Sequence, residues 1–205
     1  MPKGSPELTN ARREEIISAC EELYKTKGFK DVTIRDIGNI TSFTRTSIYN
    51  YFQTKEEIFL AILKREYDLW TEELRQRADA QETMSDDEIA DCLAGTLNKR
   101  QLLLKLLSMN HYDMEENSRM EALTDFKVSY GKSLQAVIAL LGKFRPEMTL
   151  TERQGFVYAF FPFLFGVYPY TVVTDKQKKS MQDADVDYTY QSVYELIYAC
   201  VLRLL

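Results

Sequence analysis

The sequence predicts an all-α protein, and three observations carry that reading. Apolar residues recur at three- and four-residue spacing along the 205-residue chain, and they nowhere alternate for long with period two. A hydroxyl residue followed three positions later by an acid, the signature of a helix start, recurs at Thr33–Asp36, Thr54–Glu57, Ser85–Glu88, Ser118–Glu121 and Thr149–Glu152. Stop signals punctuate the apolar stripes, among them Lys27-Gly28 and Pro146.

Ser5-Pro6 or Thr9-Asn10 opens the first helix, whose stripe is Ile16, Ile17, Cys20, Leu23 and Tyr24. It ends at Lys27-Gly28, where glycine suits a left-handed terminal residue. Phe29 and Val32 are placed to pack under the next two helices. Thr33 caps a helix of about two turns with Ile34, Ile37 and Ile40 at helical spacing. The hydroxyl-rich run Thr41-Ser42-Phe43-Thr44 competes with helical hydrogen bonding, and Thr44 then caps a second short helix from Arg45 to about Phe52. Ile48, Tyr51 and Phe52 anchor that helix inward. Its other face carries Arg45, Thr46, Ser47, Tyr49 and Asn50: a guanidinium, hydroxyls, a phenol and an amide with no carboxylate among them. Such groups donate to phosphates and base edges, and the N-terminal half of such a helix fits the major groove of DNA. Thr54-Lys55-Glu56-Glu57 starts the next helix and puts Lys55 at a helix N-terminus, a place suited to a phosphate.

Thr33 to Leu63 resembles the DNA-binding domain of the tetracycline-repressor (TetR) family of bacterial transcriptional regulators. Thr33, Ile37, Ile48, Tyr49, Tyr51, Phe52, Lys55, Glu56 and Ile58 occupy the family's pattern positions, and Tyr-Asn-Tyr-Phe-Gln-Thr-Lys-Glu is the most specific fragment. The chain departs from the pattern at Gly38 (usually Ala), at Thr41 and Ser42 (usually Ala-Gly) and at Thr46 (usually Gly or small). Ser42 is expected to adopt the turn at some steric cost, and Thr46 to add bulk at the groove. The resemblance implies a helix-turn-helix domain at 1–54 and a helical effector-binding and dimerisation domain at 55–205. The implied partner is a pseudo-palindromic double-stranded DNA operator bound by a homodimer, most often as a repressor. The DNA-contacting residues it implies are Thr33, Thr44, Arg45, Thr46, Ser47, Tyr49, Asn50, Tyr51 and Lys55. Lys3, Arg12 and Arg13 are further candidates for phosphate, against the plainer reading of a solvated charged face.

Beyond the motif, Ile58, Phe59, Ile62, Leu63, Glu66, Tyr67, Trp70 and Leu74 lie on one helix from Lys55 to about Ala80, too long for the head alone. Ser85 opens a helix with Ile89, Leu93, Leu97 and the run Leu102–Leu107. Ser118 opens one with Leu123, Phe126, Tyr130, Leu134, Val137, Ile138 and Leu141, which must stop before Pro146. Thr149 opens the next. Residues 154–174 hold no charge, which is long enough to cross a bilayer, but Pro162, Pro169, two glycines and several hydroxyls argue against that. A helix apolar all round, with Phe156, Phe160 and Phe163 on one side and Val157, Phe161, Leu164 and Tyr168 on another, is one buried on both sides. The expectation is that helices 150–173 and 188–205 pair with their copies in a dimer, joined by a charged loop over 174–187. The body is rich in aromatics and Met. Tyr67, Trp70, Met109, His111, Tyr112, Met114, Phe126, Tyr130 and Phe160 are the candidates for lining a pocket for a hydrophobic or aromatic small molecule, against the plainer reading that they are core.

The net charge of −5 excludes a general polyanion binder, but it is uneven: residues 1–55 carry +2 and the remainder −7. A mildly basic head on an acidic body fits contact with DNA at one end. Cys20, Cys92 and Cys200 lie far apart and read as reduced thiols of a cytoplasmic protein, and the N-terminus carries no apolar stretch of signal-peptide type. His111 is the sole histidine, with no nucleophile elbow, Gly-rich phosphate loop, CxxC or HExxH, so neither an enzyme nor a cofactor or metal is expected. The competing class is a small-molecule binding protein of the same fold without DNA binding, which Ser42 and Thr46 would favour.

Overall fold

The structure is a computed structural model describing residues 5–42, 44–109 and 111–205, with residue 111 described in its backbone only. Lys3, one of the phosphate candidates, and the His111 side chain lie outside what is described. The described residues form helices α1 (Pro6–Thr26), α2 (Ile34–Ile40), α3 (Arg45–Ile48), α4 (Lys55–Asp79), α5 (Asp86–Asn98), α6 (Gln101–Leu107), α7 (His111–Glu116), α8 (Met120–Phe144), α9 (Leu150–Thr171), α10 (Asp175–Asp183) and α11 (Val193–Leu204). No strand occurs among them.

Two compact units result: residues 1–65 with 110–128, and residues 66–109 with 129–205. The division between the two falls within α4. In the first unit, Ile16, Cys20, Tyr24, Val32, Ile37, Ile48, Phe52, Ile58 and Phe59 are buried together with Met114 and Phe126. Tyr24 and Phe29 meet Phe59 edge-on at 5.2 and 4.7 Å. In the second, α11 packs on α5 and α9, and α6 packs on α9. Cys20 and Cys92 are buried, and burial pushes their thiols up to about 12 and about 11.

Most helix starts fall where local capping puts them. Ser5, Thr33, Thr44, Ser85, Thr149 and Ser192 each accept a backbone N–H three residues on, and four of them form reciprocal boxes with an acid. Five expectations need correction. Helix α1 ends on extended Lys27, and Gly28 has no left-handed backbone; the Gly28 carbonyl instead accepts from Asp31 and Val32. Ile40 is exposed. The helix expected through Leu107 breaks at Lys99–Arg100, where the Arg100 backbone leaves the helical region at φ −108 and ψ 52; Glu73 of α4 accepts from the Lys99 side chain at 3.1 Å and from that of Arg100 at 3.0 Å. The charged loop contains a helix, α10, capped by Thr174 and closed by Asp185 at φ 53, where Val186 N–H reaches Met181 O at 3.0 Å. Finally, Ser118 does not open α8: its buried hydroxyl has no hydrogen-bond partner, and the helix begins at Met120.

Helix α9 buries Phe156, Val157, Phe160, Phe161, Leu164 and Val167 within the protomer, so both faces expected at a dimer contact are largely internal. What it exposes is a different stripe, Tyr158, Pro162, Phe165 and Pro169. Both prolines sit on that stripe, where the carbonyls they leave unbonded can be hydrated. No single helix among the described residues is long and apolar enough to cross a membrane.

Candidate nucleic-acid interface and interior aromatic cluster

Helix α3 is a single turn of four residues rather than the two turns expected. The chain continues as a tightened turn, with Asn50 N–H to Ser47 O at 3.2 Å, Tyr51 N–H to Ile48 O at 2.9 Å and Phe52 N–H to Ile48 O at 3.0 Å. Ile48 and Phe52 are buried beneath it. Above them Thr44, Arg45, Thr46, Tyr49 and Asn50 are exposed on one surface, with Ser47 half-buried in the cap. The Thr44 hydroxyl accepts Ser47 N–H at 3.3 Å and lies 3.0 Å from the Ser47 hydroxyl. Arg45 donates to the Tyr49 hydroxyl at 3.3 Å, one turn on. No acid lies between Thr44 and Asn50, so this surface offers donors and no repelling charge.

Three more of the expected DNA residues are tied to partners away from this surface. Thr33 is engaged in its own capping box with Asp36, whose carboxyl is held below its usual range by the Thr33 hydroxyl and by Lys27. Tyr51 is half-buried and faces α1: Arg12 donates to its hydroxyl and Arg13 to its carbonyl, each at 3.3 Å. Arg13 also lies 4.5 Å over the Phe52 ring. Arg12 and Arg13 therefore brace the turn that follows α3, a role that their place on a charged face did not announce. Lys55 donates to the carbonyls of Phe29 and Lys30.

Of the departures from the family pattern, Ser42 and Gly38 are accommodated, whereas the buried Thr41 hydroxyl has no hydrogen-bond partner. Among the described residues only Asp185 has positive φ, so Ser42 bears no left-handed strain. Its N–H is accepted by Glu15 of α1 at 2.6 Å. At Gly38 an added Cβ would lie 3.3 Å from Arg45 N, so the glycine lets α2 and α3 approach more closely than alanine would.

In the second unit, four rings form a closed circuit. Tyr67 meets Tyr130 at 5.5 Å and Trp70 at 6.5 Å, and Phe161 meets Trp70 at 5.8 Å and Tyr130 at 5.7 Å. Phe160 adjoins Phe161 at 6.1 Å. The indole N–H of Trp70 donates to Thr96 at 3.1 Å, and the Thr96 hydroxyl donates on to the Cys92 carbonyl at 2.8 Å. Burial, with the neighbouring Tyr130, pushes the Tyr67 phenol well above its usual range. Of the nine expected lining residues, Tyr67, Trp70, Tyr130 and Phe160 thus come together. Met109 is half-buried, and Met114 and Phe126 are buried in the first unit. Tyr112 is 83% exposed, because its short helix α7 turns it to solvent, and it lines no interior. Phe161 and Thr96 were not anticipated; on a helix as uniformly apolar as α9, no periodicity distinguishes Phe161 from Phe160.

Among the described residues no group of His, Cys, Asp and Glu could hold a metal ion. Compared with known proteins, residues 64–191 match the family described as tetracyclin repressor-like, C-terminal domain, and residues 16–62 match bacterial regulatory proteins of the tetR family. The HTH-type transcriptional regulator YfiR of Bacillus subtilis is 32% identical over 80 residues, 39% of each chain. The match thus spans well under half of that relative. The fatty acid degradation regulator FadR of Bacillus halodurans superposes over 99% of this chain and 96% of its own, with a TM-score of 0.58 at 17% identity. FadR of Bacillus subtilis, solved in complex with stearoyl-CoA, covers 93% of this chain and 96% of its own, with a TM-score of 0.55 at 16% identity.

Proposed function

Because the chain belongs to the tetracycline-repressor family of bacterial transcriptional regulators, we propose that it is a cytoplasmic homodimeric repressor released from a pseudo-palindromic operator by a hydrophobic effector. The observation that carries this reading is the carboxylate-free surface of Thr44, Arg45, Thr46, Tyr49 and Asn50 over buried Ile48 and Phe52. Residues 1–54 read the DNA, Arg45, Tyr49 and Asn50 at base edges and Thr44, Thr46 and Ser47 at phosphates. Residues 55–205 bind the effector and dimerise. The ring circuit Tyr67–Trp70–Tyr130–Phe161 supports a hydrophobic or aromatic ligand, as does the likeness in fold to a regulator solved with an acyl-CoA. The exposed stripe of α9 supports a contact between two copies.

Selection from a random duplex pool tests the reading. Enrichment of a sequence with two-fold symmetry, half-sites about one helical turn apart or somewhat more, is the expected result. A pool that yields no symmetric sequence would sink it.

A further inference from the structure

Glu57 is the third residue of α4 and, at 1% exposure, the most buried acid among the described residues. Both its oxygens are fully engaged. Oε2 accepts Gln53 N–H at 2.8 Å and Arg119 Nη2 at 2.9 Å; Oε1 accepts Arg119 Nε at 2.6 Å and Arg119 N–H at 3.1 Å. Beside it the Thr54 hydroxyl donates to the Asn117 carbonyl at 2.9 Å. Gln53 comes directly after the recognition turn, and Arg119 directly precedes α8.

The position of Arg119 gives this arrangement its meaning. Its carbonyl accepts the first helical bond of α8, from Leu123 N–H at 3.1 Å, so Arg119 is the residue at the helix cap. In a self-contained capping box an acid three residues inside the helix would accept the cap's N–H. Here that residue is Ala122, which has nothing to offer. Glu57 supplies the missing carboxylate from another helix, and the same carboxylate holds the N–H of Gln53. One buried charge therefore fixes two chain segments: the exit of the recognition turn and the start of α8. Arg13, Tyr51, Phe52, Glu57 and Arg119 also share the lining of a cavity of about 30 Å³, so the brace from α1 converges on the same point.

We infer that Arg119 is a positioning residue for DNA binding: through Glu57 it sets where the recognition turn ends, and operator affinity depends on it although it touches no DNA. This rests on the regulator reading. A removed guanidinium would leave the Glu57 carboxylate without its counter-charge, and water entering in its place would compete with the Gln53 and residue-119 N–H groups for its oxygens, loosening the Gln53–Lys55 backbone. Lysine cannot replace it, because an ammonium cannot bond both carboxylate oxygens in the plane of a guanidinium fork.

The test uses the full-length protein and the duplex that the wild type enriches from a random pool. Affinity is measured by anisotropy across a salt series, with hydrogen exchange of the Gln53 amide, for Arg119→Ala, Arg119→Lys and Glu57→Gln, all below their unfolding transitions. All three variants are expected to lose about two- to thirtyfold in affinity, with the slope of log affinity against log salt unchanged and Gln53 exchange faster. Should Arg119→Ala not fold, the two milder variants carry the comparison. Wild-type affinity in the variants would overturn the inference and leave the regulator reading standing. A slope lower by about one would overturn it too, since that marks a direct phosphate contact by this partly exposed side chain. If the wild type enriches no duplex, the regulator reading falls and the inference with it.

Discussion

The ammonium of Lys55 lies 4.6 Å over the ring of Phe29 and donates to that residue's carbonyl at 2.9 Å. A cation at a helix N-terminus, expected to hold a phosphate, here fastens α4 to the segment between α1 and α2. Lys55→Ala is expected to lower the stability of the protein by about 1–2 kcal/mol, the scale of a charge-assisted hydrogen bond with a partly exposed cation–π contact. DNA affinity should fall evenly across sequences with the salt slope unchanged. A slope lower by about one would show that the ammonium reaches a phosphate in the complex.

Arg45 has the opposite character: it is exposed, and its partner, the Tyr49 hydroxyl, is on the same surface. Arg45→Ala should leave stability nearly unchanged and cost about 1–3 kcal/mol of binding, with specificity relaxed at one base pair per half-site. Loss spread evenly over all positions of the site would assign it to phosphate instead.

Trp70 is fully buried with its indole N–H on Thr96. Thr96→Val keeps the shape and removes the acceptor, so about 1–3 kcal/mol of stability should be lost on chemical unfolding. The single tryptophan also reports on the ring circuit. Its emission should change on binding a hydrophobic ligand, and the same ligand at saturation should release DNA; ligands that bind without changing DNA affinity would show that coupling is absent.

Deleting residues 188–205 cannot test the dimer, because Val193, Ile197 and Val201 are core of the protomer itself. A charge on the exposed stripe of α9 can. Phe165→Glu should weaken association at least about a hundredfold, since an unpaired buried charge costs about 3–5 kcal/mol. Sedimentation should show a folded monomer with little operator affinity. An unperturbed dimer would place the contact elsewhere.

Acid stability should depend on Glu57. Burial alone would raise its carboxyl, but hydrogen bonds from the Arg119 side chain and from the Gln53 and Arg119 backbone outweigh that and hold it below the usual range. A carboxyl with a lower pKa folded than unfolded binds fewer protons in the folded state. Its contribution is therefore complete above about pH 4.3 and lost as pH falls through the depressed folded value. Glu57→Gln should be less stable than wild type at pH 7, and the gap should narrow below about pH 4. A gap of constant size across that range would refute the assignment.

The range of each interaction decides whether the chain alone reveals it. Helix starts at Thr33, Thr44, Ser85 and Thr149 were legible because a cap is made within four residues, and Ile48 and Phe52 were legible as anchors because their spacing is local. Ser118 shows where that logic stops: the N–H that needed a carboxylate found Glu57, 62 residues earlier in the chain, so the local signature went unused. The same holds for Lys55, whose partners Phe29 and Lys30 lie 26 and 25 residues away, and for Arg12 and Arg13, whose hold on Tyr51 spans 39 and 38 residues. Helix α9 is the limiting case. Its apolar residues leave no polar face to mark the outside, so only packing, against α6 and α11 and against Trp70 of α4 and Tyr130 of α8, decided that Phe161 completes the ring circuit while Tyr158 and Phe165 face out. By itself the sequence determined most of the helix starts and the residue chemistry of the Thr44–Asn50 surface, both set by contacts a few residues apart. The tertiary structure alone decided which charges are tied inward and which apolar surface is left open, because those depend on partners that chain proximity does not supply.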